Sequence, residues 1–197
     1  ALARYGSDKP DLRFGMEIGD LSDIAAESQF QVIRGVIDSG GVVKGLAVPG
    51  CAGYNRRQIQ ELTDFAKERG SPGLMTLGLD GYPDSPLDEL TQEDIRSAVS
   101  RHLSLEEVVK MASRLGAKRG DLMLMVAATP RVTDLVLSQL RHELGVRLNL
   151  ADPDLLAFAF VLDFPLLEWN QDGERWDSAH HPFTAPREDD LALLEEA

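Results

Sequence analysis

The residues best suited to chemistry are two adjacent histidines, His180 and His181, in the segment AHHPFT at 179–184. Adjacent side chains on a strand point to opposite faces, so this pair cannot easily share one metal ion. Neither His102 nor His142 has a second ligand at a suitable spacing, and no metal site is predicted. Two interpretations stay open: surface or hydrogen-bonded histidines, or a ligand-binding loop beside a core strand.

A second candidate is Asp163, which follows the apolar run at 155–162 and precedes Phe164 and Pro165. The run predicts a buried strand, with a carboxylate at its mouth. Such a carboxylate either caps loop amides or contacts a cationic group of a ligand. The residues alone leave both roles open.

The composition bounds the possible functions. The chain has 197 residues, 43% hydrophobic and 27% charged, which is typical of one large or two small globular domains. Its net charge of −13 disfavours autonomous binding to a phosphate backbone. The single cysteine, Cys51, excludes an internal disulfide and a cysteine metal cluster, and favours a reducing cytoplasm. The chain lacks an initiator methionine, and its ends look like interrupted helices, so we expect a fragment of a longer protein.

Helix-capping signals are the strongest local patterns. Asn55 with Gln58, and Ser104 with Glu107, have the spacing of capping boxes. Thr129–Pro130 predicts a third helix start, because proline is favoured in the first turn.

The apolar patterning between these signals predicts an α+β fold with a largely antiparallel sheet. The acidic segment 80–94 is interpreted as a solvated loop leading into a short helix. The predicted elements are a β-hairpin over 30–50, a helix from Asn55 to Gly70, a strand over 73–79, a helix from Ser104 to Gly116, a strand over 121–128, a helix from Pro130, and a strand over 155–169.

Several stretches, in this order and spacing, resemble bacterial aspartyl-tRNA synthetase, a class II enzyme. The resemblance covers nearly the whole chain but only part of that enzyme. The stretches are RYGSDKPDLRF at 4–14, VPG at 48–50, GDLMLMVA at 120–127, VLDFPLLEW at 161–169 and AHHPFT at 179–184.

The resemblance implies a domain organisation. The family carries an extra domain, the GAD domain, inserted into its catalytic domain; it is a two-layer α+β unit. Here the insertion would span 21–149, and 1–20 and 150–197 would be strips of the antiparallel-sheet catalytic domain. The arginines of the family that hold ATP are not in this chain, so the isolated fragment is expected to be inactive.

The resemblance also implies roles for the candidate residues. The family activates L-aspartate with ATP to aspartyl-adenylate, assisted by Mg²⁺, and transfers the aspartyl group to tRNA. His180 would contact the substrate aspartate, His181 would support the same loop, and Asp163 would lie beside the substrate's ammonium group. No cofactor is expected in the fragment; the whole enzyme is expected to be a cytoplasmic homodimer without membrane contact.

A different class of function is an autonomous interaction or tRNA-binding module. One helix carries basic residues that RNA could contact, but acidic residues alternate with them, which is typical of a solvated helix face. The basic residues are Arg56, Arg57, Lys67 and Arg69.

Overall fold

The computed structural model describes residues 1–163, 165, 167–170 and 173–179. The chain forms two compact units, an N-terminal unit of Ala1–Phe158 and a C-terminal unit of Ala159–Ala197. Among the described residues, no helix has the length and apolarity needed to cross a membrane.

The N-terminal unit is built on one five-stranded sheet with strand order β1-β2-β5-β3-β4, and every pairing is antiparallel. The largely antiparallel sheet predicted from the sequence is therefore confirmed. The strands are β1 (Gly19–Asp20), β2 (Val42–Val48), β3 (Met75–Leu79), β4 (Ile95–Arg96) and β5 (Leu122–Ala128).

The central strand, β5, is apolar on both sides. Met123 and Met125 enter the core on one face of the sheet, whereas Leu122 and Leu124 enter the core on the other. This alternation follows from the two-residue period of a strand. The predicted strand over 121–128, buried on both faces, is confirmed.

Helices cover both faces of this sheet. Helices α2, α3 and α5 pack on one face, and α4 and α6 pack on the other. The predicted two-layer arrangement is therefore wrong, because both apolar faces of the sheet need a cover and the unit has three layers. The helices are α1 (Leu2–Tyr5), α2 (Ser22–Glu27), α3 (Gln31–Asp38), α4 (Arg56–Lys67), α5 (Leu105–Arg114) and α6 (Pro130–Arg147).

Both predicted capping boxes are present. The Asn55 side chain accepts from the Gln58 amide at 3.0 Å, and the Gln58 side chain accepts from the Asn55 amide at 3.0 Å. Ser104 and Glu107 make the same reciprocal pair at 3.2 and 2.7 Å. Each box satisfies amides that have no partner inside the helix, a contribution of about 1 kcal/mol.

The predicted β-hairpin over 30–50 is wrong. Its first half is helix α3, and only its second half is strand β2. The β-branched residues of 31–38 were interpreted as a strand, but Phe30, Ile33 and Ile37 follow helical spacing and pack on the core. Gly40, at φ 83°, then ends the helical segment.

The acidic segment 80–94 is an irregular loop, as predicted, with two 3-10 turns at Leu87–Glu89 and Gln92–Asp94. Two of its carboxylates form ion pairs with arginines outside the segment. Asp80 pairs with Arg96 at 2.5 Å, and Asp94 pairs with Arg119 at 3.0 Å.

The predicted buried strand over 155–169 is wrong in its first part. Residues 155–163 have no regular structure, and Phe158 and Phe160 are 89% and 95% exposed. An apolar run becomes a buried strand only where other strands pair with it, and the described residues offer no pairing here. Regular structure resumes in the C-terminal unit with a hairpin of β6 (Leu167–Asn170) and β7 (Arg175–Ser178).

The N-terminal residues belong to the same compact unit as the sheet. Strand β1 pairs with β2, and helix α1 packs against α6. The predicted domain boundaries at 20/21 and 149/150 stay predictions.

A matched pair of leucines on α6 tests this packing. Leu137 is fully buried, whereas Leu135 is 44% exposed. We expect Leu137→Ala to lower the free energy of unfolding by about 2–5 kcal/mol, because it leaves a cavity in the core. Leu135→Ala should cost less than about 1 kcal/mol. Urea denaturation of both variants measures the difference, and equal losses would contradict the assigned orientation of α6.

Candidate functional site

The predicted histidine pair, His180 and His181, lies outside the described residues. Its role in substrate binding stays a prediction. The hairpin β6–β7 leads directly to it, since β7 ends at Ser178.

This hairpin is held by side chains across its two strands. Trp169 lies directly opposite Trp176, and their rings meet edge to face at 5.5 Å between centroids. Asn170 donates to Asp177 at 2.7 Å, and its side-chain oxygen accepts from the Gly173 amide at 3.0 Å. These contacts hold the described ends of the connection between β6 and β7.

Asp163 is exposed and adopts a left-handed backbone conformation with φ 57°. Aspartate tolerates this region better than most residues. Asp163 therefore does not end a buried strand, which corrects the predicted setting of this carboxylate. Its predicted contact with the substrate's ammonium group stays a prediction.

A buried charged group of the N-terminal unit is Arg141, on α6, which is 3% exposed. Its Nη2 donates to the carbonyl oxygens of Asp11, Phe14 and Gly15, each at 2.8 Å. Its Nε lies 3.1 Å from the Gly15 oxygen and 3.2 Å from the Met16 oxygen. We call this set of contacts the Arg141 clamp.

Two aromatic rings complete the surroundings of this guanidinium. Its Cζ lies 4.2 Å from the centroid of the Phe14 ring and 4.9 Å from that of the Tyr5 ring. Burial lowers the pKa of Arg141, and the nearby Tyr5, Asp11 and Glu17 oppose this shift. A buried cation is tolerated where charge-assisted hydrogen bonds and ring faces replace water.

The clamp holds residues 4–18, here called the N-terminal strip, which contain the stretch RYGSDKPDLRF. The strip also closes on itself: Arg4 forms an ion pair with Glu17, and the Ile18 amide donates to the Arg4 oxygen at 2.8 Å. Tyr5 adds a hydrogen bond to Glu17 at 3.2 Å. These contacts make the strip one compact loop lying on α6.

Two glycines permit this close approach. A Cβ on Gly145 would lie 2.5 Å from the Phe14 ring, and a Cβ on Gly6 would collide with the backbone oxygen of Asp134. Gly6 also has φ 64°, which favours glycine. The Asp134 side chain in turn binds Lys44 of β2 at 2.6 Å, so the helix beneath the strip is tied to the sheet.

Sequence patterns missed Arg141. The available signal was its spacing: Leu137, Arg141 and Gly145 follow at intervals of four on the buried side of α6. An arginine between a core leucine and a small residue indicates that some other segment supplies acceptors there.

Cys51 is buried, and burial raises the pKa of its thiol. A raised pKa disfavours the reactive thiolate.

The basic residues considered for RNA contact are partly used within the fold. The Cζ atom of Arg69 lies 3.4 Å from the centroid of the Phe65 ring, and its guanidinium donates to the Phe65 backbone oxygen at 2.9 Å. Arg57 pairs with Glu61 at 3.1 Å on an exposed face. Two of the four cations therefore have internal partners.

Within the part of the chain that the structure describes, no cluster of three or more His, Cys, Asp or Glu side chains could hold a metal ion. We assign no described residue to a magnesium site.

The sheet covered on both faces, with the strip docked on α6, defines a mixed α and β domain organised around an antiparallel sheet. Residues 33–137 match the family model described as the GAD domain. The chain therefore belongs to the GAD domain family.

The similarity to known proteins extends beyond that domain. The chain is 48% identical over 195 residues to the aspartate–tRNA(Asp/Asn) ligase of Dehalococcoides mccartyi strain CBDB1, covering 99% of the chain and 32% of the relative. It is 45% identical to the ligase of that name from Moorella thermoacetica and 41% to that from Geotalea uraniireducens, each over 99% of the chain and 31% of the relative. The chain thus spans about a third of the length of the curated relatives it matches.

An ion pair within the N-terminal strip predicts how the stability of the fold depends on pH. The Arg13 guanidinium, 2.7 Å from Asp11, holds the pKa of that carboxyl at about 2. The pKa of an aspartate in an unfolded chain is about 3.9. The ion pair therefore contributes its full stabilisation of the folded state above that pH, and this contribution is lost as the pH falls through about 2. We expect Asp11→Asn to lower the free energy of unfolding by about 1 kcal/mol at pH 7, and the deficit to vanish towards pH 2.

The control for this test is Asp8→Asn, because Asp8 forms no ion pair among the described residues. Chemical denaturation across pH 2–7 measures both variants. A deficit of Asp11→Asn that stays constant down to pH 2 would contradict the ion pair.

Proposed function

We propose that this chain is the GAD domain, with flanking strips of catalytic domain, of an aspartate–tRNA ligase. The observation that carries the proposal is the extent of the similarity. The GAD match spans 33–137, but identity to the ligases runs over 195 residues and so includes both flanks. A protein sharing only the inserted domain would not match along the N-terminal strip and the histidine loop.

The proposed reaction has two steps. A carboxylate oxygen of L-aspartate attacks the α-phosphorus of ATP, giving aspartyl-adenylate and releasing pyrophosphate. The terminal ribose hydroxyl of tRNA then attacks the adenylate carbonyl and displaces AMP. Magnesium, when bound in the whole enzyme, neutralises phosphate charge.

In this proposal the chain supplies one wall of the aspartate pocket. His180 donates a hydrogen bond to the substrate carboxylate, which is strengthened when the imidazole is cationic. His181 supports the same loop, and Asp163 pairs with the substrate's ammonium group. The whole enzyme is proposed to act as a cytoplasmic homodimer on aspartate, ATP and tRNA, and the isolated chain to be inactive.

The alternative, an autonomous interaction or tRNA-binding module, has less support. The net charge is −13, and Arg57 and Arg69 already have internal partners. Binding of a phosphate backbone requires clustered cations that are free to contact it.

The decisive variant is His180→Ala in the full-length protein, assayed by aspartate-dependent ATP–pyrophosphate exchange. Loss of a charge-assisted contact should cost about 1.5–3 kcal/mol, or roughly tenfold to a hundredfold in kcat/KM for aspartate. The KM for ATP should change little, because the contact is to the amino acid.

The matched control is His102→Ala, which removes an exposed histidine stacked on Phe30 in the N-terminal unit. Its exchange kinetics should equal those of the unmutated protein. Normal exchange kinetics of His180→Ala would contradict the proposed contact between His180 and the substrate.

A gel-shift assay on the isolated chain separates the proposal from the module alternative. Under the proposal we expect no gel shift with aspartate or asparagine tRNA at physiological salt, because the acidic chain repels the tRNA phosphate backbone. Tight binding that weakens steeply with added salt would favour the module.

A further inference from the structure

We infer that Arg141 is a positioning residue, through which helix α6 of the GAD domain holds the N-terminal strip in the geometry that the ligase reaction requires. The inference rests on the proposed function, because only there is the strip part of a catalytic domain. It assigns the inserted domain a definite contribution to catalysis.

The acceptors in the Arg141 clamp are the first reason. All are backbone oxygens, of Asp11, Phe14, Gly15 and Met16. A planar guanidinium with fixed donor directions therefore sets the path of the strip's main chain and not the pose of one side chain. The side chains of the strip stay available for contacts elsewhere; Lys9, for example, is exposed.

The second reason is the rigidity of the base on which the clamp is mounted. Helix α6 buries Leu137, Leu140 and Leu144 completely against the sheet. Lys44 of β2 binds Asp134, on the turn of α6 that Gly6 contacts. A displacement of the strip would therefore require the clamp to open, because the base itself is part of the core.

The third reason is the separation of the partners along the chain. Arg141 lies 125–130 residues from the carbonyl groups that it binds. The whole GAD match, residues 33–137, lies between them. The clamp thus closes the inserted domain back onto the segment that precedes it.

The test uses the full-length ligase that contains this chain, with Arg141→Met and Arg141→Lys. Methionine keeps length and apolar packing but donates no hydrogen bonds, whereas lysine keeps charge without the planar fork. The matched control is Val108→Ala, a fully buried position in the core on the opposite face of the sheet. The melting temperature of each variant is measured, so that the kinetics of variants with the same loss of stability can be compared.

Two readouts are combined. Hydrogen exchange of residues 4–18 should accelerate in Arg141→Met, while β5 keeps its protection. In the ATP–pyrophosphate exchange assay, kcat/KM for aspartate should fall by about tenfold to a hundredfold, as displacements of about 1 Å can produce. Arg141→Lys should be intermediate, and Val108→Ala should keep normal kinetics and a protected strip.

Kinetics of Arg141→Met that match those of Val108→Ala at equal melting temperature would overturn the inference, as would unchanged exchange in the strip. If Arg141→Met does not fold, Gly145→Ala disturbs the same contact by displacing Phe14 and keeps Arg141. No aspartate-dependent activity in the unmutated ligase would instead refute the proposed function, and the hydrogen-exchange result would still report on the clamp.

Discussion

The contacts of the buried Arg141 guanidinium hold the N-terminal strip on helix α6 within the N-terminal unit. Arg141 is 3% exposed, and its Nε and Nη2 donate to backbone oxygens of a segment far away in sequence. That segment supplies the oxygens and ring faces that replace water around the cation, and the cation supplies hydrogen-bond donors to the segment's carbonyl groups. The strip and helix α6 therefore stabilise each other.

This mutual dependence links fold to function. The five-stranded sheet and its two helical layers form a rigid base, and the strip is held on that base by the clamp, by Gly6 and by Gly145. Similarity to the ligases runs through both the base and the strip. In the proposed enzyme, the inserted domain would therefore support a catalytic segment instead of being a separable appendage.

Local signals in the sequence predicted the elements that depend on local physics. The capping boxes at Asn55 and Ser104 and the doubly apolar strand β5 were predictable because each is specified by neighbouring residues. Helix α3 was misassigned because its β-branched residues favour strands, and the helical spacing of Phe30, Ile33 and Ile37, which pack on the core, was overlooked. The run before Asp163 was misassigned because apolar character alone cannot supply the neighbouring strands that would bury it.

The candidate site was less predictable than the fold. The residues alone left the roles of His180 and Asp163 open, and only the resemblance to a synthetase family assigned them. Arg141 escaped prediction because its acceptors are main-chain atoms, which carry no sequence signature. The most direct measurement of the central claim is ATP–pyrophosphate exchange by the unmutated full-length protein with each of the twenty amino acids. The account predicts exchange with L-aspartate alone; no exchange, or exchange driven equally by other amino acids, would contradict it.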